Sequence, residues 1–302
     1  MTQRWLEQRE RSQAWALATI VWIALHVGRR AARALLYPIS LYFLVFSLRS
    51  RAASAAYLAR VLGRRPRLAE RFRHHHTFAA TLLDRVFLLA GRAGEFEIAV
   101  HGDALVAELA ERRQGSLLLG GHFGSFEIMR ATAWAKPHVR LYFAMHEDNA
   151  RKMNAALRAV SPDLPDRLIP LGQPGTMLRV QEAVAEGAFV GFLADRLVRG
   201  DRFVVHPFLG ERAPFPSGAF RLAAALQCPV LTMFGVYRGG RRYEIYFEPL
   251  AGPAPLEPRD REAWVAETMA RYAERLEGRC HDAPYNWFNF YAFWDLPPAE
   301  RA

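Results

Sequence analysis

The chain has 302 residues, 51% apolar and 23% charged, which is enough apolar material for one large core or a core domain with an appendage, and excludes a disordered chain. Its formal charge of +10 comes from 40 basic against 30 acidic residues; only Lys136 and Lys152 are lysine, leaving 40 − 2 = 38 arginines. Such a balance suits anionic lipid headgroups, an acidic carrier protein or nucleic acid, and the sequence contains no zinc-finger spacing, RNA-binding signature or basic-aromatic repeat to favour the last.

The first apolar run, Ala14 to Val27, is followed by Gly28-Arg29-Arg30; the second, Ala34 to Leu48, is expected to be broken by Pro38 and is flanked by Arg49 and Arg51. Each falls short of the roughly 20 apolar residues that a spanning helix needs, so the runs read as a shallow hairpin, an interfacial anchor or one span with snorkelling arginines. Two buried helices of an ordinary domain would have the same lengths. Trp15, Trp22, Tyr37 and Tyr42 near the run ends, with arginines beyond them, favour membrane contact at the cytoplasmic face. Residues 1–53 are therefore expected to be a membrane-associated helical segment, 54–94 a helical connector with a break at Gly63 and Pro66, and 95–302 the main domain. His74-His75-His76 point in different directions on a helix and cannot all ligate one metal, so no metal site is expected there.

From Glu97 the pattern alternates. Strands are expected at Glu97–Val100, Ser116–Gly120, Arg140–Met145, Leu168–Pro170, Phe189–Leu193, Val230–Tyr237 and Arg242–Phe247. Helices are expected at Asp103–Arg113, after Phe123, at Asp148–Val160, Pro174–Ala185, Ser217–Leu226 and Arg259–Glu277. Continuous apolar strands separated by helices imply an α/β fold with a mainly parallel sheet flanked by helices. The last two strands are close enough to form a hairpin. An aromatic tail, Tyr285 to Trp294, follows, with Trp287, Phe288, Phe290, Phe293 and Trp294 suited to a core or to an acyl pocket.

His122 falls where the strand Ser116–Gly120 ends, in Gly120-Gly121-His122-Phe123-Gly124-Ser125-Phe126-Glu127, and ligands of open α/β sheets gather beyond strand carboxyl ends. Its glycines permit a tight turn beside a substrate, and Ser125 is placed to cap the next helix. The His-x4-Glu spacing puts Glu127 in the first turns of that helix, in reach of the imidazole, where a carboxylate on one ring nitrogen leaves the other as a base. Spacing alone decides nothing: 10 × 30/302 gives about one chance occurrence, and His206 to Glu211 is a second instance, placed in a proline-flanked loop. The strand end and the glycines set His122 apart.

Asp195 follows the strand Phe189–Leu193 and is a candidate for orienting His122 or binding an acceptor. Arg196 or Arg199 would take a phosphate or carboxylate, if they are not in surface ion pairs. Ser217 and Gly218 open a helix whose N–H groups suit an anion or an oxyanion. Arg151 and Lys152 are candidates for a donor phosphate, or lie on a solvated helix face. Cys228 and Cys280 have no metal-ligand spacing, and no Gly-x-Ser-x-Gly elbow is present, so no serine or cysteine nucleophile is expected.

The runs SLLLGGHFGSFE and GFLADRLVRGDRFVVHPFLGERAPFPSGAFRLAAALQCPVLTMFGVYR, with the tail YNWFNF, resemble the lipid A biosynthesis (lauroyl/myristoyl) acyltransferases of the lysophospholipid acyltransferase superfamily over about residues 95–295. They are similar at least as closely to acyltransferases predicted in aryl polyene-type lipid clusters. The resemblance implies His122 as base with Glu127 as its partner, and Phe215 to Gly218 as an acceptor or oxyanion loop. It also implies an acyl thioester donor (acyl carrier protein or coenzyme A), a lipid or glycolipid acceptor, no resident cofactor, and attachment to the cytoplasmic face of a bacterial inner membrane. A lipid esterase or thioesterase of the same fold, or a non-catalytic lipid-binding protein, are the alternatives.

Overall fold

The structure, a computed structural model, describes residues 26–134, 139–146, 168–197 and 201–296. Most of the first apolar run, the expected helix at Asp148–Val160 with Arg151 and Lys152, and Arg199 lie outside the described residues.

Among the described residues three helices come first: α1 (Arg29–Phe46), α2 (Leu48–Leu62) and α3 (Leu68–Leu89). Gly63, left-handed at φ 63°, ends α2 where the break was expected. The helix α1 continues through Pro38 instead of breaking there. Its buried residues Ala32, Leu36, Ser40 and Leu44 recur every four positions and pack as one stripe, which outweighs the hydrogen bond that Pro38 cannot make. Leu41, Tyr42 and Phe46 of α1 are exposed, as is Tyr37, whose ring also packs on Phe72 and His76 of α3. Among the described residues no single helix is long and apolar enough to cross a membrane; α1 and α2 together reach that length and are bent by 94° where they meet.

The α/β part then alternates β1 (Glu97–His101), α4 (Asp103–Glu111), β2 (Ser116–Gly120), α5 (Phe126–Trp134), β3 (Leu141–His146), β4 (Leu168–Leu171), α6 (Thr176–Ala185) and β5 (Phe189–Leu193). After it come β6 (Phe203–Phe208), β7 (Glu211–Pro216), α7 (Gly218–Leu226), β8 (Val230–Gly239), β9 (Arg242–Ala251) and the long α8 (Pro258–Asp282). Seven strands form one sheet in the order β1-β9-β8-β2-β5-β3-β4, parallel at every pairing except the β8–β9 hairpin.

Both faces of the sheet are covered, which is why its central strands read as continuous apolar runs. Leu117 and Leu119 of β2 and Val190 and Phe192 of β5 face a core with α6, α7, α8 and the aromatic tail. Leu118 and Phe189 face the other, shared with Phe87 of α3, Ile128 of α5 and Ala32 and Leu36 of α1.

One element departs from the sequence reading. His206 and Glu211 lie on a two-stranded hairpin, β6–β7, not in a loop. Leu209 (φ 51°) and Gly210 (φ 83°) make its two-residue turn with both residues left-handed, the geometry that matches strand twist. Pro207, Pro214 and Pro216 argue against a strand in the middle of a sheet, but a two-stranded ribbon has only edges and tolerates them.

Candidate active site

Strands β2 and β5 are adjacent and parallel, with Gly120 in register with Leu193. His122 and Asp195 therefore each stand two residues beyond the end of their strand, side by side above the sheet. His122 Nδ1 lies 2.7 Å from Asp195 Oδ1, and the His122 backbone N–H donates to Asp195 Oδ2 at 2.9 Å. A third bond reaches the same carboxylate from the tail: Trp287 Nε1–H donates to Oδ2 at 2.9 Å.

Asp195 is 1% exposed. Burial pushes its carboxyl up, yet the charge and hydrogen bond of His122, with Arg196 nearby, outweigh burial and hold it at about 2. An ionised carboxylate makes Nδ1 the protonated ring nitrogen and leaves the lone pair on Nε2. The His122 side chain is 31% exposed, and Nε2 has no hydrogen-bond partner among the described residues.

The turn that carries His122 depends on its glycines. Gly124 is left-handed at φ 60°, and a Cβ there would lie 1.9 Å from the carbonyl oxygen of Gly235. At Gly121 a Cβ would stand 3.2 Å from Asp195 Cγ, tighter than an ordinary contact, so a side chain there would press on the carboxylate. The tail clamps the same turn: Gly124 N–H donates to the Asn286 carbonyl at 2.8 Å, and Phe288 N–H to the His122 carbonyl at 2.8 Å. Below it, the buried Tyr272 hydroxyl donates to the Gly120 carbonyl at 2.7 Å.

Glu127 does not hold the imidazole. It is 4% exposed at the start of α5, with Oε1 3.1 Å from Arg85 Nε of α3 and Oε2 2.7 Å from Arg130 Nε. The carboxylate bonded to His122 is Asp195. One turn along α5 separates Glu127 from Arg130, and that ion pair, closed by Arg85, turns Glu127 toward α3.

The other expected contacts scatter. Arg196 donates from Nη2 to the Phe288 carbonyl at 2.7 Å and lies over the Tyr291 ring, so it braces the tail. Ser217 donates its hydroxyl to the Arg202 carbonyl at 3.2 Å, and Gly218 is exposed at the start of α7; neither is hydrogen-bonded to His122 or Asp195 among the described residues. Ser125 Oγ accepts the Ile128 N–H at 3.3 Å, near the start of α5.

Two participants were not legible as such. Trp287 reads as core in sequence; only its indole N–H, which needs a partner once buried, hints at more. His74 is 0% exposed, with Nδ1 2.9 Å from Ser54 Oγ and Nε2 2.9 Å from the Trp287 carbonyl. Burial lowers its pKa to about 3, so the ring is neutral: Ser54 donates to Nδ1, and Nε2–H donates to the carbonyl. His75 is also buried, its ring between Ser50 Oγ and the Arg71 carbonyl.

An α/β domain that presents a carboxylate-held imidazole beyond a parallel strand pair is built for proton transfer in a hydrolase or group-transfer enzyme. Residues 3–295 match the family of bacterial lipid A biosynthesis acyltransferases, and the chain belongs to that family. It is thus an acyltransferase, using an acyl donor and a lipid acceptor, from a membrane-associated family. No curated protein sequence matches the chain.

Proposed function

We propose that the protein moves a fatty-acyl chain from a thioester, carried by acyl carrier protein or coenzyme A, to a hydroxyl of a lipid or glycolipid at the cytoplasmic face of the inner membrane, with His122 as general base. The bond between His122 Nδ1 and Asp195 Oδ1 carries this reading. Nε2 takes the proton of the acceptor hydroxyl as its oxygen attacks the thioester carbonyl. Collapse of the tetrahedral intermediate breaks the C–S bond, and the imidazolium returns the proton to the leaving thiolate. Asp195 stabilises the imidazolium that forms in between. Glu127, tied to Arg85 and Arg130, holds the start of α5 and thereby the turn that ends in His122.

The exposed aromatic face of α1, with Arg30 and Arg49 exposed beside it, suits the headgroup and upper acyl region of an anionic leaflet. The test is His122→Ala in folded, membrane-bound protein, offered carrier-bound and coenzyme A-bound acyl chains with lipid acceptor. Acylated lipid is expected from the wild type and only background from the variant. Transfer at near wild-type rate would end the proposal, and free fatty acid as the sole wild-type product would make the protein a thioesterase.

A further inference from the structure

We propose that Trp287 is a positioning residue for the reaction: its indole N–H fixes the Asp195 carboxylate, so that the carboxylate can hold the His122 ring. The inference rests on the reading of His122 as the base.

Asp195 Oδ2 accepts two N–H groups, from the His122 backbone and from Trp287, while Oδ1 meets the His122 ring. Two donors on Oδ2 stop the carboxylate from rotating about its Cβ–Cγ bond, and a carboxylate that cannot rotate keeps the imidazole in one plane. The donor is itself fixed. Trp287 is 1% exposed, with the rings of Tyr57, Phe208 and Phe293 at centroid distances of 5.0, 5.2 and 4.9 Å. Its carbonyl accepts Nε2–H of His74, which Ser54 of α2 holds from the other side, and its backbone bridges that of Phe123, next to His122. The tail, 92 residues beyond Asp195, thus reaches the catalytic pair through both a side chain and the backbone. Packing alone explains a buried ring; it does not explain an indole N–H aimed at the carboxylate that is bonded to His122.

The decisive variant removes only the donor. Replacing Trp287 with β-(3-benzothienyl)alanine keeps the bicyclic shape and substitutes sulfur for the N–H. The expected result is a fall in kcat of roughly tenfold to a hundredfold, with KM for donor and acceptor nearly unchanged and the melting temperature close to wild type. The same replacement in Asp195→Asn protein is expected to cost little more, because the carboxylate it acts through is gone. Wild-type kcat in the analogue protein, or a loss of equal size in the Asp195→Asn background, overturns the proposal.

A second measurement does not depend on activity. The Trp287 indole proton, assigned by its disappearance in Trp287→Phe protein, is expected downfield in the wild type and shifted upfield in Asp195→Asn. An unmoved resonance means that the hydrogen bond does not exist, and the proposal falls. A moved resonance together with full activity of His122→Ala overturns the base instead, leaving the bond intact without a catalytic pair to position.

Discussion

Arg29 and Asp84 meet in the interior as a bidentate pair: Nε to Oδ1 at 2.8 Å and Nη2 to Oδ2 at 2.8 Å, with side chains 8% and 0% exposed. Arg29 Nη2 also donates to the Gly240 carbonyl, and the Tyr243 hydroxyl donates to Asp84 Oδ2 at 2.9 Å. One carboxylate on α3 thereby joins α1 to β9, and Arg29 itself reaches the β8–β9 turn. Removing one member of a buried pair leaves the other charge uncompensated, so Asp84→Ala is expected to lower stability by about 3–5 kcal/mol. Replacing both members with apolar residues of similar volume, Arg29→Met with Asp84→Leu, should recover much of that loss. Thermal unfolding in detergent checks both, and an Asp84→Ala protein as stable as wild type would show that α1 is held by its apolar stripe alone.

Acid should destabilise the protein through its buried histidines. The His74 pKa is lowered by burial to about 3 from an ordinary 6.5. Between those values the unfolded chain binds a proton that the folded chain refuses, so stability falls as pH drops below about 6.5 and is intact above it. His75 and His76 are also lowered, with burial the leading cause in each, and act in the same sense. Melting temperature measured from pH 7.5 to 5 should decline, and His74→Asn, which keeps polar groups for Ser54 and the Trp287 carbonyl, should flatten the slope. An equally steep slope in that variant would place the acid sensitivity elsewhere.

The two carboxylates near His122 should separate in kind. Asp195→Asn presents the wrong partner to the His122 ring, and by comparison with the equivalent change in serine proteases the rate should drop by on the order of 10⁴. Its melting temperature should move less. Glu127→Gln removes the negative charge between Arg85 and the 3% exposed Arg130, so its first effect should be on stability, up to about 3–5 kcal/mol. Paired measurements of kcat and unfolding test the assignment. A collapse of rate in Glu127→Gln with unchanged unfolding would return the orienting role to Glu127.

The sequence shows plainly where chemistry should sit and less plainly which residues share it. Ser116–Gly120 and Phe189–Leu193 are legible because a strand buried on both faces is apolar at every position, and those two strands place His122 and Asp195 at matching ends. The partner of His122 is not legible by spacing. Glu127 meets the His-x4-acid rule, as Glu211 does relative to His206, but Glu127 is drawn to Arg85, which lies 42 residues earlier on a helix whose position only the fold decides. Asp195 is 73 residues from His122 and becomes its neighbour through strand register. The hairpin β6–β7 is hidden by its prolines, and Trp287 is indistinguishable from core until the partner of its N–H is known.

The exposed face of α1 should govern membrane binding. Tyr42 and Phe46 are 58% and 68% exposed and Phe43 is 43% exposed, and none of the three belongs to the buried Ala32–Leu44 stripe. Each large apolar side chain moved from water into lipid contributes about 1.5–3 kcal/mol. The triple variant Tyr42→Ser, Phe43→Ser, Phe46→Ser should therefore bind vesicles at least about a hundredfold more weakly. Arg49 lies just past the end of α1 and Arg30 near its start. Arg30→Glu with Arg49→Glu should weaken binding to vesicles containing anionic lipid and leave binding to neutral vesicles nearly unchanged, since a basic side chain near an anionic surface contributes about 1 kcal/mol. Flotation with the two vesicle types separates the contributions. Transfer to a water-soluble acceptor analogue should survive in the aromatic variant while transfer to vesicle-borne lipid falls. Equal loss with both acceptors would mean that this face serves the site itself and not its delivery to the membrane.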